Sequence, residues 1–296
     1  MNEFIERLLQ NPYTCSESWA AQTWGLRNYL ENGDLEAYRE ENILPQVFTW
    51  PEASIPAMDY LRILEQDPES IFYKAVLKNT YGPRGVHLYR NVQLDRVQQA
   101  WTIHSMVSSM GLDLQKSNEV IVEFGPGTGQ MADVLAALDF KGRHVAIDLP
   151  LMTVLQNHFV EKEGISTRFL LDDELNGAVM PFITTPTSFL PSNQPIWEKA
   201  VMEMSNINFV ATYSLTETDA ETRARVEAYL PRCSRIYIAY WPGKQLQGNG
   251  IDNDEYIYGI MQKLADTHNV YIGHTANGKV FWAVGEPTVP PTTPSL

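Results

Sequence analysis

One stretch constrains this chain more than any other: EVIVEFGPGTGQMADVLAALDFKGRHVAIDLP at 119–150. Val120 to Phe124 is a short apolar run that ends at Gly125-Pro126-Gly127-Thr128-Gly129. Met131, Val134, Leu135 and Leu138 then recur at the spacing of a helical face. Lys141-Gly142 closes that segment, and His144 to Leu149 is a second apolar run carrying one acid, Asp148. The order strand, glycine turn, helix, strand is the first half of an open α/β sheet. Such sheets bind ligands at the carboxyl ends of their strands.

Glycines let a backbone approach a ligand closely, and a helix N-terminus presents free N–H groups to an anion. An acid at the end of the second strand accepts hydrogen bonds from ribose hydroxyls. Both features suit a nucleoside-containing cofactor. The dinucleotide fingerprint G-x-G-x-x-G requires a third glycine at 130, where this chain has Gln130. Glu123, just ahead of the first glycine, would repel a pyrophosphate but favour a cationic amino group. S-adenosylmethionine carries that amino group and a sulfonium; NAD carries neither.

On Glu123-Phe124-Gly125-Pro126-Gly127-Thr128-Gly129 and Ala146-Ile147-Asp148-Leu149-Pro150, the chain resembles the class I S-adenosylmethionine-dependent methyltransferases. The proline directly after Asp148-Leu149 resembles their sugar O-methyltransferase branch. The likeness spans roughly 119–286 and leaves out the N-terminal third. It implies an α/β, Rossmann-like seven-stranded sheet with a C-terminal antiparallel hairpin. It further implies a cofactor-binding set of Glu123, Gly125, Gly127, Gly129, Gln130, Asp148, Leu149 and Ser214. The branch carries a Ser-x-x-Glu segment after its fourth strand, matched here by Ser214 and Glu217.

The rest of the chain fills in this expectation. Residues 1–115 read as mostly helical: Phe4, Ile5, Leu8 and Leu9 share a face, 16–32, 58–65 and 70–78 read as further helices, and 94–111 is a long one striped by Ala100, Ile103, Val107 and Met110. This region is expected to act as a lid, a substrate wall or a homodimer surface, with 116–286 as the cofactor domain and 287–296 as a proline-rich disordered tail. The third strand is placed at 179–185 in preference to 168–171, although Pro181 argues against a central position. Ile207 to Tyr213 is the fourth strand, and Thr218 with Glu221 forms a capping-box pattern for the next helix. Cys233 to Tyr240 is the fifth strand. Asn269 to Gly273 and Val280 to Gly285, joined at Asn277-Gly278, form the hairpin that methyltransferase sheets have and NAD folds usually lack.

Charge and composition exclude some partners. A net charge of −14 with 22 scattered Lys and Arg leaves no basic patch for nucleic acid. No run approaches the ~20 apolar residues of a membrane span. Cys15 and Cys233 lie far apart, outside any metal or redox spacing, which fits reduced thiols and a cytoplasmic location. The expected partner is a small-molecule acceptor, a sugar by the resemblance. A sugar hydroxyl has a high pKa, so a base that takes its proton as the bond forms is useful; Glu217 and His104 are the candidates, with His87 and His274 behind them. Arg90 is a candidate partner for the cofactor carboxylate, and Tyr213, Tyr240 and Trp241 for the face of a sugar ring. Asp252, Asp254 and Glu255 read as the acidic first turn of a helix rather than as a metal site.

Overall fold

The computed structural model describes residues 17–32, 54–78, 92–170, 187–192, 196–243, 251–274 and 278–285, together with 6, 8, 9, 35 and 38. Cys15, His87, Arg90, Asn277, the expected strand at 179–185 and the tail at 287–296 lie outside them. In chain order the elements are α1 (Glu17–Asn32), α2 (Ser54–Leu64), α3 (Ile71–Leu77), α4 (Leu94–Met110), β1 (Val120–Phe124), α5 (Gln130–Ala137), β2 (Arg143–Asp148), α6 (Pro150–Lys162), β3 (Thr167–Phe169), β4 (Thr187–Pro191), α7 (Ile196–Glu203), β5 (Ile207–Thr212), α8 (Ala220–Glu227), β6 (Cys233–Tyr240), α9 (Asn253–Leu264), β7 (His268–His274) and β8 (Lys279–Gly285).

The strands form one sheet in the order β3-β4-β2-β1-β5-β6-β8-β7. Every pairing from β3 to β6 is parallel, and β8 is antiparallel to both β6 and β7. This is the expected α/β sheet with its terminal hairpin, but it has eight strands among the described residues rather than seven. The strand bordering β2 is Thr187–Pro191, with Val145 opposite Ser188 and Asp148 opposite Pro191. Thr167–Phe169, overlapping the alternative set aside in the sequence, adds a short edge strand beyond it. The strand expected at 179–185 falls outside the described residues, so β4 is an addition to the expected elements. Proline ends β4 instead of interrupting it.

Alternation along β1 builds two cores. Val120, Val122 and Phe124 face α7, α8 and α9, where Trp197, Val226, Ile257 and Ile260 complete one cluster. Ile121 points the other way, into a cluster shared with Met131 and Leu135 of α5 and with the buried sides of α2, α3 and α4. The helical N-terminal region therefore shares its core with the sheet. Ala100, Ile103 and Met110 of α4 are buried as expected, joined by Met106, while Val107 is only partly covered. The buried Arg96 guanidinium of α4 pairs with Asp133 of α5 and donates through Nε to the Ala75 carbonyl of α3. Lys78 Nζ lies 2.9 Å from the other Asp133 oxygen. On the same side, Leu26 and Leu30 of α1 pack against Leu151, Met152 and Leu155 of α6. No helix among the described residues is long and apolar enough to cross a membrane.

Candidate functional site

The chain leaves β1 toward β2 on one side and returns at β5 on the other. That reversal opens a crevice at the carboxyl ends of β1 and β5, where open α/β sheets bind ligands. The residues across it are packed closely. A Cβ on Gly125 would lie 2.2 Å from Ser214 Cβ, and Gly125 has φ +69°. Only glycine satisfies both conditions. Ser214 Oγ donates to the Phe124 carbonyl, so this hydroxyl stitches the end of β5 to the end of β1. Gly127 and Gly129 also have positive φ, at 60° and 80°, and Gly129 is the residue from which α5 starts.

Asp148, at the end of β2, is tied to the same turn. Its Oδ2 accepts from Gly127 N–H at 3.3 Å and from Gln156 Nε2 at 2.6 Å, and its Oδ1 accepts from Leu149 N–H at 2.7 Å. Gln156 Nε2 also donates to the Gly127 carbonyl at 2.7 Å. Burial pushes the Asp148 carboxyl up to about 7, and the nearby Glu123 adds to this; the three donors act in the opposite direction. Asp148 is thus an acceptor poised near neutrality, a property that clusters at functional sites.

Glu123 behaves differently. Its side chain is completely buried, with Oε2 3.0 Å from His144 Nε2 and Oε1 without a hydrogen-bond partner. The imidazole continues to Thr187 Oγ1 at 3.4 Å through Nδ1. The sequence reading aimed Glu123 at a cationic amino group. In this conformation the Glu123 side chain is fully covered and is not presented at the surface of the crevice. Gln130, also buried, carries an unused Oε1 at the start of α5. Leu149 is half-buried beside Asp148, immediately before α6.

The expected bases occupy different surroundings. Glu217 ends a single 3₁₀ turn, Leu215–Glu217, that leaves the carboxyl end of β5, and its N–H donates to the Ser214 carbonyl at 3.0 Å. It therefore lies on the same short connection as Ser214. His104 sits in the helical layer, its ring 4.8 Å from Phe72 and 5.8 Å from Tyr60 by centroids. Burial holds its pKa below the usual imidazole range. The capping box is displaced by one residue: Asp219, not Thr218, caps α8 by accepting from Thr222 N–H at 2.9 Å. Thr218 instead donates its hydroxyl to the Leu215 carbonyl, closing the 3₁₀ turn. Asp252 caps α9, and Asp254 binds Lys279 at 2.6 Å and Tyr240 Oη at 3.1 Å. His274 ends β7 at the far edge of the sheet.

Sequence reasoning missed two residues, Gln156 and His144, and did not foresee the backbone conformation of a third, Tyr213. Gln156 was legible as the one buried amide in a helix whose covered face is otherwise largely apolar. His144 shares a sheet face with Glu123 by the period of two, a relation that becomes visible only once β1 and β2 are paired in register. Tyr213 holds φ at +65°, an uncommon conformation for an aromatic residue. It stacks on Trp241 with centroids 4.5 Å apart, so an aromatic pair stands where β5 and β6 end.

Comparisons with known proteins add the following. No family model matches the chain, and no curated protein matches it. Among solved structures, it is similar to a SAM-dependent methyltransferase from Aquifex aeolicus at 14% identity and a TM-score of 0.38, covering 61% of this chain and 92% of that one. It is also similar to a Methanococcus maripaludis protein described as an S-adenosylmethionine-dependent methyltransferase, at 12% identity and 0.41, covering 79% and 94%. A third, PigF with SAH, is 10% identical at 0.37, covering 78% and 70%. Likeness at this level carries no argument about chemistry, and the fold stands on the strand order itself.

Proposed function

We propose that this chain binds S-adenosylmethionine at the β1–β5 crevice and transfers its methyl group to a hydroxyl of a small molecule, a sugar or glycan precursor. The observation that carries this reading is the closed arrangement of the Gly125–Gly129 turn, Asp148 and Ser214 at the switch point. The residues fit the cofactor's parts. Among the described residues Asp148 Oδ1 takes one donor, which leaves acceptor capacity for ribose hydroxyls. The positive-φ glycines clear the backbone for close approach, and Leu149 offers an apolar side beside the acid. The buried acid Glu123 below the turn favours a cationic ligand over a pyrophosphate.

When bound, the sulfonium supplies an electrophilic methyl group. The protein's part is to align an acceptor oxygen with it, exclude water and take a proton. Glu217, on the connection that carries Ser214, is assigned as the base. His104, whose pKa burial lowers, is the second candidate. Tyr213 and Trp241 offer an aromatic wall at the ends of β5 and β6 against which a sugar ring packs.

Calorimetry with S-adenosylmethionine, S-adenosylhomocysteine and NAD tests the cofactor. The first two are expected to bind and NAD is not; the reverse would end this reading. Methyl transfer to a panel of free and nucleotide-linked sugars tests the acceptor. In that assay Glu217→Gln is expected to lower turnover by 10²-fold or more, on the order of a general-base contribution. Unchanged turnover would remove Glu217 from the role.

A further inference from the structure

We infer that Gln156 is a positioning residue of this site: its amide holds the Asp148 carboxylate in its accepting form and locks it to the glycine turn. The inference rests on the cofactor reading above and adds a residue to it. The geometry is a closed ring. Gly127 N–H donates to Asp148 Oδ2, Gln156 Nε2 donates to that same oxygen, and the other Gln156 N–H donates to the Gly127 carbonyl. Both acceptors require donors, so the amide has one workable orientation: Nε2 inward. The side chain is completely buried, and a Cβ on Gly129 would lie 3.4 Å from Gln156 Cβ. The second turn of α6 therefore presses directly on the start of α5. One side chain thus joins three parts of the site that arise from separate stretches of sequence: the turn after β1, the acid ending β2 and the following helix.

The ring matters because Asp148 is costly to ionise where it sits. From β1, Glu123 faces it with like charge, and His144 of β2 stands behind Glu123 at 3.0 Å. From β4 its register partner is Pro191, which brings no charge. From α6 comes the neutral Gln156 amide, and from the backbone the N–H groups of Gly127 and Leu149. Of these, Gln156 is the only side-chain donor. A hydrogen bond to a charged group favours that form by an amount that corresponds to about one pKa unit or more. An ionised Asp148 accepts from a ribose hydroxyl with both lone-pair sets. A protonated one must spend its O–H and loses acceptor capacity.

The experiment compares the wild type with Gln156→Met and Gln156→Glu. Carboxyl ¹³C NMR of the ligand-free protein reads the Asp148 midpoint directly, so it does not depend on any cofactor. The wild-type midpoint is expected near 7. Gln156→Met is expected to move it up by about one pH unit. Gln156→Glu, nearly isosteric, places a second carboxyl against Asp148, and the upper step of the coupled pair is expected to rise further. Calorimetric affinity for S-adenosylhomocysteine is then measured between pH 6 and 9. Wild-type affinity is expected to rise as pH passes the Asp148 midpoint. In Gln156→Met that rise is displaced upward, giving about a five-fold loss at pH 7 that narrows by pH 9. An unmoved Asp148 midpoint in both variants would overturn the inference. So would an affinity loss of equal size at every pH, the mark of a purely structural role. A wild type that binds no S-adenosylhomocysteine, with the NMR shift present, would instead overturn the cofactor reading and the positioning role with it.

Discussion

Two acids bracket β1, and they are treated in opposite ways. Glu119, just before the strand, lies at the amino end of the sheet; Glu123, inside it, lies near the carboxyl end. Both are buried. Around Glu119 everything is paired. Its Oε2 accepts from Arg235 Nη1 at 3.1 Å and from Asn208 Nδ2 at 2.8 Å, and its Oε1 lies 3.3 Å from Arg235 Nη1. The same guanidinium donates to the carbonyls of Met110 and Gly111, both at 2.7 Å, where α4 ends. A cation there is favourable for the helix dipole as well. Glu123 has one partner, His144, and one unused oxygen. The same end of the sheet carries the positive-φ glycines, the half-buried Asp148 and the constrained Tyr213. The amino end is saturated and holds the helical layer to the sheet. The carboxyl end keeps strain and spare acceptors, as a site that must meet a ligand does.

The largest effect should come from breaking the saturated end. Arg235→Ala leaves Glu119 buried without its cation, and that is expected to cost about 3–5 kcal/mol of stability. Urea denaturation checks the value, and affinity for S-adenosylhomocysteine should stay close to wild type wherever the protein is folded. Lost affinity with unchanged stability would erase the distinction between the two ends.

Next comes Gly125→Ala. The added methyl meets Ser214 Cβ at 2.2 Å on a backbone that L-residues avoid. Overpacking and the left-handed φ together are expected to cost about 2–4 kcal/mol, and cofactor affinity should fall with it. Tolerance of alanine there, read by thermal unfolding and calorimetry, would mean that the crevice opens freely.

Asp148→Asn should separate stability from function. Loss of the charged acceptor is expected to weaken S-adenosylhomocysteine binding by about ten- to a hundred-fold. In the ligand-free protein burial pushes the folded Asp148 up to about 7, whereas the unfolded one titrates in the ordinary carboxylate range. Between these the unfolded state binds fewer protons, so this group makes stability fall as pH rises across that window. Melting temperatures from pH 4 to 8 should show that component vanish in Asp148→Asn. An identical pH profile in both proteins would contradict the raised carboxyl.

The smallest effect belongs to Gly111→Ala, at the amino end. Gly111 has φ +69° but open space where a Cβ would go. Strain alone is expected to cost about 1 kcal/mol, with cofactor affinity untouched. Set beside Gly125→Ala, it isolates the cost of the close approach to Ser214 from the cost of the backbone conformation.

Some of this was legible in the sequence. The β1–turn–α5–β2 unit stands where apolar periodicity and the glycines put it, because those signals lie within one continuous stretch. The terminal hairpin is likewise local, its two strands close in sequence, and it was found to within a residue at each end of the sheet pairing. The strand beside β2, Thr187–Pro191, was not anticipated, because it follows a long connection whose apolar pattern fits more than one segment. The capping residue of α8 moved from Thr218 to Asp219 because both side chains cap helices, and the 3₁₀ turn consumed the first of them.

What the sequence determined by itself is the class of the sheet and the place of its glycine turn, since both follow from spacing along the chain. Tertiary structure decided which acid keeps partial exposure at the crevice and which is sealed. Glu123 and Asp148 are equivalent as residue types. Pairing β1 with β2 buries Glu123 against His144, while the end of β2 leaves Asp148 within reach of the turn and of Gln156. That division depends on contacts between residues 8 to 29 positions apart, and no local periodicity encodes it.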